Sequence, residues 1–205
     1  MAFASFALFG LLIVISPGAD FLLVFRNSVR YGRRAGLFTA LGIALSVTIH
    51  VSYSITGMSQ LISQTPQLFT LIRYVGAAYL IYLGIRSFIG AKLTLPDLKE
   101  TQQRYHALQM LRQGFLCNLL NPKTIIFFIS VFAQLMAAHP EQLPLVALYG
   151  IYIALLHGLW FALLALGLTA AKLVAWIERF NRQLNQLCGL GLMSFGIILS
   201  LPGTL

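Results

Sequence analysis

The chain has 205 residues, 59% of them hydrophobic and 9% charged, whereas a soluble domain carries about 25% charged residues. With a mean hydropathy of +0.84, a soluble fold of this length could not bury so much apolar surface, so the bulk solvent is lipid and an all-α integral membrane protein is expected. The net charge of +9 does not point to nucleic acid, because no basic stripe alternates with aromatics; it fits basic residues gathered in cytoplasmic loops.

A crossing helix needs about 20 apolar residues, and six segments qualify: 1–25, 35–58, 68–90, 114–137, 145–170 and 185–204. The opening run "MAFASFALFGLLIVIS" has no Lys or Arg before Arg26. It lacks the basic region of a signal peptide and is expected to stay as the first half of a spanning helix. It leads into "ISPGADFLLVFRN", where Pro17, Gly18 and Asp20 interrupt an apolar segment, and then into the linker "RNSVRYGRR". The second segment carries His50 and ends at "SQLISQTPQ"; the third runs into the long linker "AKLTLPDLKETQQRYHALQMLRQ". The fourth holds Asn118, the triplet Asn121-Pro122-Lys123 and Gln134, before "AAHPEQLP". The fifth carries His157, and the polar stretch "WIERFNRQLNQ" precedes the sixth. Cys117 and Cys188 lie in apolar segments without CxxC spacing and read as small buried hydrophobes.

Twelve of the 14 basic residues fall around the first, third and fifth linkers, and none in the second or fourth. Those three linkers are therefore expected in the cytoplasm and both termini on the outer side. The whole chain, 1–205, reads as one transmembrane domain, with halves at about 1–90 and 114–205 joined by a linker at 91–113. The halves share landmarks in order: Pro17 with Pro122, His50 with His157, Gly76 with Gly189. A unit of three helices is odd, so its second copy enters the membrane upside down. The expectation is two inverted three-helix repeats, with substrate bound near the midplane between them.

Proline removes a hydrogen bond inside a helix but is tolerated at a helix's first position, after a Ser or Asn cap. Ser16-Pro17 and Asn121-Pro122 each read as a cap and first residue, so helices 1 and 4 are expected to be broken at Pro17 and Pro122. Both breaks lie about 12 Å from the cytoplasmic ends by the helical rise of 1.5 Å per residue. Two half-helix N-termini at one depth make an anion site suited to a small carboxylate. The alternative is a pair of ordinary packing kinks.

Asp20 is the sole acid within a predicted span. It is read either as holding a substrate ammonium or a proton, or as only satisfying the half-helix end or Lys123. Lys123 holds the carboxylate, neutralises Asp20, or snorkels to the headgroups. His50 and His157 relay protons or each bond a backbone carbonyl. Asn118 and Gln134 line a polar cavity or join helices. Gly36, Gly42, Gly76, Gly84, Gly150, Gly189 and Gly196 are expected to allow close helix packing.

The motifs "SPGADFLLVFRNSVRYGRRAG", "IRYVGAAYLIYLGIRSF" and "NLLNPKTIIFFISVFAQ" resemble the LysE/RhtB family of bacterial amino-acid exporters over nearly the whole chain. The resemblance implies proton-driven export of amino acids such as threonine, homoserine, leucine or lysine from the inner membrane. It places Pro17, Gly18 and Asp20 in one family motif and Asn121, Pro122 and Lys123 in the other. The common first motif is Pro-Gly-Pro followed by Asp or Asn; Ala19 replaces the second proline here.

The resulting expectation is a six-helix secondary transporter, an antiporter working by alternating access. Asp20, Ser16, Pro17, Gly18, Asn118, Asn121, Pro122 and Lys123 bind substrate, and Asp20, His50 and His157 couple protons. No cofactor, metal or nucleic acid is expected; lipids surround the chain and a homodimer is possible. A metal-ion exporter is the alternative, but one buried Asp and two His are a poor set for hard cations. An intramembrane enzyme built on Ser16, His50 and Asp20 has no supporting motif.

Overall fold

The computed structural model describes residues 2–89, 104–138, 142–167 and 171–201. Among them are eight α-helices: α1 (Ala2–Ile15), α2 (Ala19–Tyr31), α3 (Arg33–Gln64), α4 (Pro66–Ile89), α5 (Ala107–Leu119), α6 (Pro122–Ala138), α7 (Leu143–Gly167) and α8 (Ala171–Ser200). Three of them contain stretches long and apolar enough to cross a membrane alone, at Arg33–Gly57, Thr70–Ile89 and Leu143–Gly167. Two bent pairs qualify jointly: Phe6–Ile15 with Ala19–Tyr31, bent by 47°, and Ala107–Leu119 with Pro122–Met136, bent by 56°. The apolar part of α8, Asn185–Ile198, is shorter, so among the described residues length and composition alone give up to five crossings and leave the sixth expected one to α8.

Several expected linkers are helical. "RNSVRY" finishes α2, and Gly32 alone turns the chain into α3 with φ of 88°. That left-handed conformation suits glycine. "SQLISQ" completes α3, and "WIERFNRQLNQ" belongs to α8. Their polar residues extend helices beyond the apolar zone, which hydropathy alone cannot distinguish from loops. Residues 90–103, most of the long linker, lie outside the described residues.

The first break also differs from expectation. Ser16 makes the last α1 hydrogen bond, to the Leu12 carbonyl, because the residue before a proline is pushed out of the helical region. Pro17 is not the first residue of α2. Gly18, extended at φ −171°, caps that helix, without a side-chain bond. The second break follows the expected form: Pro122 opens α6 and the Asn121 Oδ1 accepts the Lys123 N–H at 3.1 Å.

Outward faces are apolar at helical spacing. On α7, Leu148, Ile151, Leu155, Leu159 and Leu163 are exposed while Tyr149, Ile153, His157 and Phe161 are buried, as in a helix with one face on lipid. α3 packs on α5 and α7, and α4 on α8. Glycine brings these backbones together. A Cβ at Gly114 would strike the Thr39 carbonyl, one at Gly42 the Leu111 carbonyl, and one at Gly189 the Gly84 carbonyl. Gly36, Gly76, Gly84, Gly150 and Gly196 are similarly crowded, in line with the packing role expected of all seven.

Two apolar cores result. One joins Phe6, Ile13, Phe127, Phe128, Phe132, Tyr149 and Phe195; the other joins Phe21, Val24, Phe25, Ile43, Phe161 and Leu164. α1 runs antiparallel to α8: Phe9 stacks on Phe195 at 4.0 Å, and Leu12 faces Gly191. The start of α1 and the end of α8 therefore lie at the same end of the bundle. At the opposite end, Asn27 bonds Thr39 and Gln113. This brings the arginines at 26, 30, 33, 34 and 112 to one basic end.

Candidate functional site

The two breaks meet where the two cores adjoin. The cavity there is lined by Ser16, Gly18, Asp20, Asn121, Lys123, Thr124 and His157, with an apolar wall that includes Phe21, Phe127 and Phe161. It encloses about 340 Å³ of atom-free space, open surroundings included. The room at its centre suits about one water molecule.

Asp20 is the second residue of α2 and is 7% exposed. Its Oδ2 accepts from Asn118 Nδ2 at 2.8 Å and from Asn121 Nδ2 at 3.2 Å. Both donors come from the other half of the chain. Its Oδ1 is buried without a hydrogen bond, and so is the Asn118 Oδ1. A carboxylate with a free oxygen beside a cavity calls for a donor: an ammonium or a proton. The α2 N-terminus adds its own positive end to the same place.

Lys123 does not pair with Asp20 in this arrangement. Its Nζ donates to the Ser16 carbonyl at 3.0 Å and stands close to Gly18, where an added Cβ would lie 3.6 Å from it. The ammonium thus crosses from α6 to the break in the first half, rather than reaching for headgroups. Lys123 and the two half-helix N-termini together concentrate positive charge on the cavity, as an anionic group requires.

The histidines divide. His157 lines the cavity, and its Nδ1 faces the Ile153 carbonyl at 2.9 Å. His50 does not line it. The His50 Nε2 lies 3.2 Å from the Asn118 carbonyl and its Nδ1 2.8 Å from the Tyr53 hydroxyl. A carbonyl accepts only from N–H, so Nε2 carries the proton and Nδ1 accepts from the hydroxyl. His50 therefore anchors the end of α5 to α3 and stacks on Phe128 at 5.3 Å. Neither ring nitrogen reaches Ser16 or Asp20, so the three do not form a triad. Pro17 and Pro122 shape the breaks without lining the cavity, and Asn118 stands behind Asp20.

Sequence reasoning missed Thr124, whose hydroxyl lies 3.4 Å from the Asn118 amide. It also missed a buried cluster in which Asn27 Nδ2 donates to Thr39 Oγ1 at 2.9 Å and Gln113 Oε1 at 3.2 Å. One signal was available: Asn27 follows Asp20 by two helical turns and so shares its face. Among the described residues no group of three or more His, Cys, Asp or Glu side chains converges as a metal site.

An all-helical membrane protein with two interrupted helices presenting charged and amide groups to an interior cavity has the build of a transport protein. The chain belongs to the LysE type translocator family, whose pattern matches residues 11–203. It is 34% identical over 194 residues to the uncharacterized membrane protein YrhP of Bacillus subtilis (strain 168), covering 91% of this chain and 92% of that one. Over 150 residues it is 36% identical to the uncharacterized membrane protein YahN of Escherichia coli (strain K12), covering 71% of this chain and 66% of that protein. A leucine efflux protein of Salmonella typhimurium (strain LT2) is 35% identical over 122 residues, which are 60% of this chain and 57% of that protein. No solved structure matches the chain. Family and fold make it a multi-pass membrane protein of a translocator family, with bacterial relatives.

Proposed function

We propose that the protein exports small zwitterionic amino acids across the bacterial inner membrane, by proton antiport with alternating access. The observation that carries this reading is the buried Asp20 carboxylate, bonded at Oδ2 and free at Oδ1 beside a cavity. In the proposed cycle Oδ1 takes the substrate ammonium on the outward leg and a proton on the return leg. Lys123 and the N-termini of α2 and α6 hold the substrate carboxylate. His157 is the histidine placed to exchange a proton with the cavity; His50 acts on the site through Asn118. The leucine efflux relative supports an amino-acid substrate. The inverted-repeat reading is supported by matched helix order and by the pairing of α3 with α7 and α4 with α8. In this reading the two breaks belong to corresponding helices.

The test is counterflow by purified protein in vesicles against a panel of amino acids. At least one is expected to exchange, and silence across the panel overturns the reading. With that substrate, Asp20→Asn is expected to abolish proton-coupled export while the protein stays folded. Full transport by the variant would remove Asp20 from the cycle.

A further inference from the structure

In the transport reading substrate passes from the basic end of the bundle to the cavity, and the seam between α2 and α5 lies along that path. α2 turns Phe21, Val24 and Phe25 into the core shared with α3 and α7. α5 lies against α3 through the glycine contacts at Gly42 and Gly114. No residue of α5 belongs to either apolar core.

Where α2 and α5 face each other, hydrogen bonds join them in two rungs. The inner rung is Asn118 to Asp20 at 2.8 Å, at the cavity. The outer rung is Gln113: its Oε1 accepts from Asn27 Nδ2 at 3.2 Å and from an Arg26 guanidinium nitrogen at 3.4 Å. Gln113 also borders the hollow formed with His106, Gln109 and Arg112 at the basic end. It therefore stands between that hollow and the seam leading to Asp20.

We propose that the α2–α5 seam is the gate through which substrate reaches the Asp20 cavity from the basic end, with Gln113 as its latch. This rests on the transport reading above. The outer rung can part without orphaning buried groups. Asn27 keeps its bond to Thr39 Oγ1 at 2.9 Å, and Gln113 turns to the hollow. The inner rung loosens when an ammonium bound at Asp20 Oδ1 neutralises the carboxylate and so weakens the hold of Oδ2 on the Asn118 amide, so that arrival of the ligand and release of the seam are linked. The break at residues 16–18 lets α2 pivot about its Asn27–Thr39 contact with α3 without α1 moving, and α5 stays with α3.

Two measurements test the gate, in protein carrying Cys117→Ala and Cys188→Ala. Thr124→Cys on the cavity wall is labelled with a membrane-impermeant thiosulfonate from each face of the membrane, with Arg34→Cys marking the basic face. Gln113→Ala is expected to speed labelling of Thr124→Cys at least threefold from the basic face alone; Gln113→Asn, too short to span the seam, is expected to do the same and serves if the alanine variant fails to fold. In the second measurement, Asn27→Cys and Gln113→Cys are joined by a short bis-thiosulfonate linker. Amino-acid exchange is expected to stop and to return on reduction. Unchanged labelling, faster labelling from the opposite face, or undiminished exchange by the linked protein would overturn the gate. If no variant and no parent protein exchanges any amino acid, the transport reading fails, and the labelling rates still decide the gate.

Discussion

At the scale of single residues, the point of interest is that Asp20 and Lys123 serve different partners. The acid is held by the amides of Asn118 and Asn121, and the ammonium by the Ser16 carbonyl. A tight ion pair would leave neither group for a substrate; amides and a carbonyl are neutral partners that can be exchanged. A hydrogen bond to a charged group contributes about 1.5–3 kcal/mol, which corresponds to at least a tenfold change in affinity. Lys123→Gln is therefore expected to raise the KM for a transported amino acid about tenfold or more. The same variant should bind the decarboxylated amine of that substrate no worse than the parent protein does. Titration of both ligands by intrinsic fluorescence checks this. The sequence made Asp20 conspicuous because an acid in lipid is costly. It did not reveal that His50 is a clamp, since a histidine's role depends on which carbonyl and hydroxyl meet its two nitrogens.

At the scale of helices, the breaks were legible and their details only partly so. Asn121-Pro122 carries its own cap and restarts where the sequence says. Ser16-Pro17 does not, because Gly18 accepts an extended backbone and takes over the capping position. The long polar stretch of α8 reads as a linker in the sequence but is helical: charge marks where lipid ends, not where a helix ends. Seam glycines were readable as small residues, but their partners were not. Gly114 sits against the Thr39 backbone, whereas a Cβ at Gly57 would meet nothing within 4 Å. Overpacking a tight contact costs about 1–3 kcal/mol. Gly114→Val is therefore expected to lower the thermal midpoint in detergent by several degrees, and Gly57→Ala to leave it in place. Circular dichroism melting of the two variants makes the comparison.

At the scale of the whole molecule, orientation and crossing number are linked. The start of α1 and the end of α8 share one end of the bundle, opposite the arginine-rich end. That placement fits an even number of crossings, so we propose that α8 crosses despite its short apolar stretch. Reporter fusions at the two termini are expected to report the same outer compartment; opposite compartments would mean five crossings. The positive-inside bias of the sequence pointed the same way, but it is the packing of α1 on α8, with Phe9 on Phe195 and Leu12 at Gly191, that ties the two ends together. The site's dependence on both halves has a further consequence, one of timing. Both hydrogen-bond donors of Asp20 come from 98 and 101 residues further along the chain. At about 5–20 residues per second, a ribosome needs roughly 5–20 s to make that stretch. For that interval the nascent first half sits at the membrane with an acid its own residues do not satisfy, and insertion of α5 and α6 completes it.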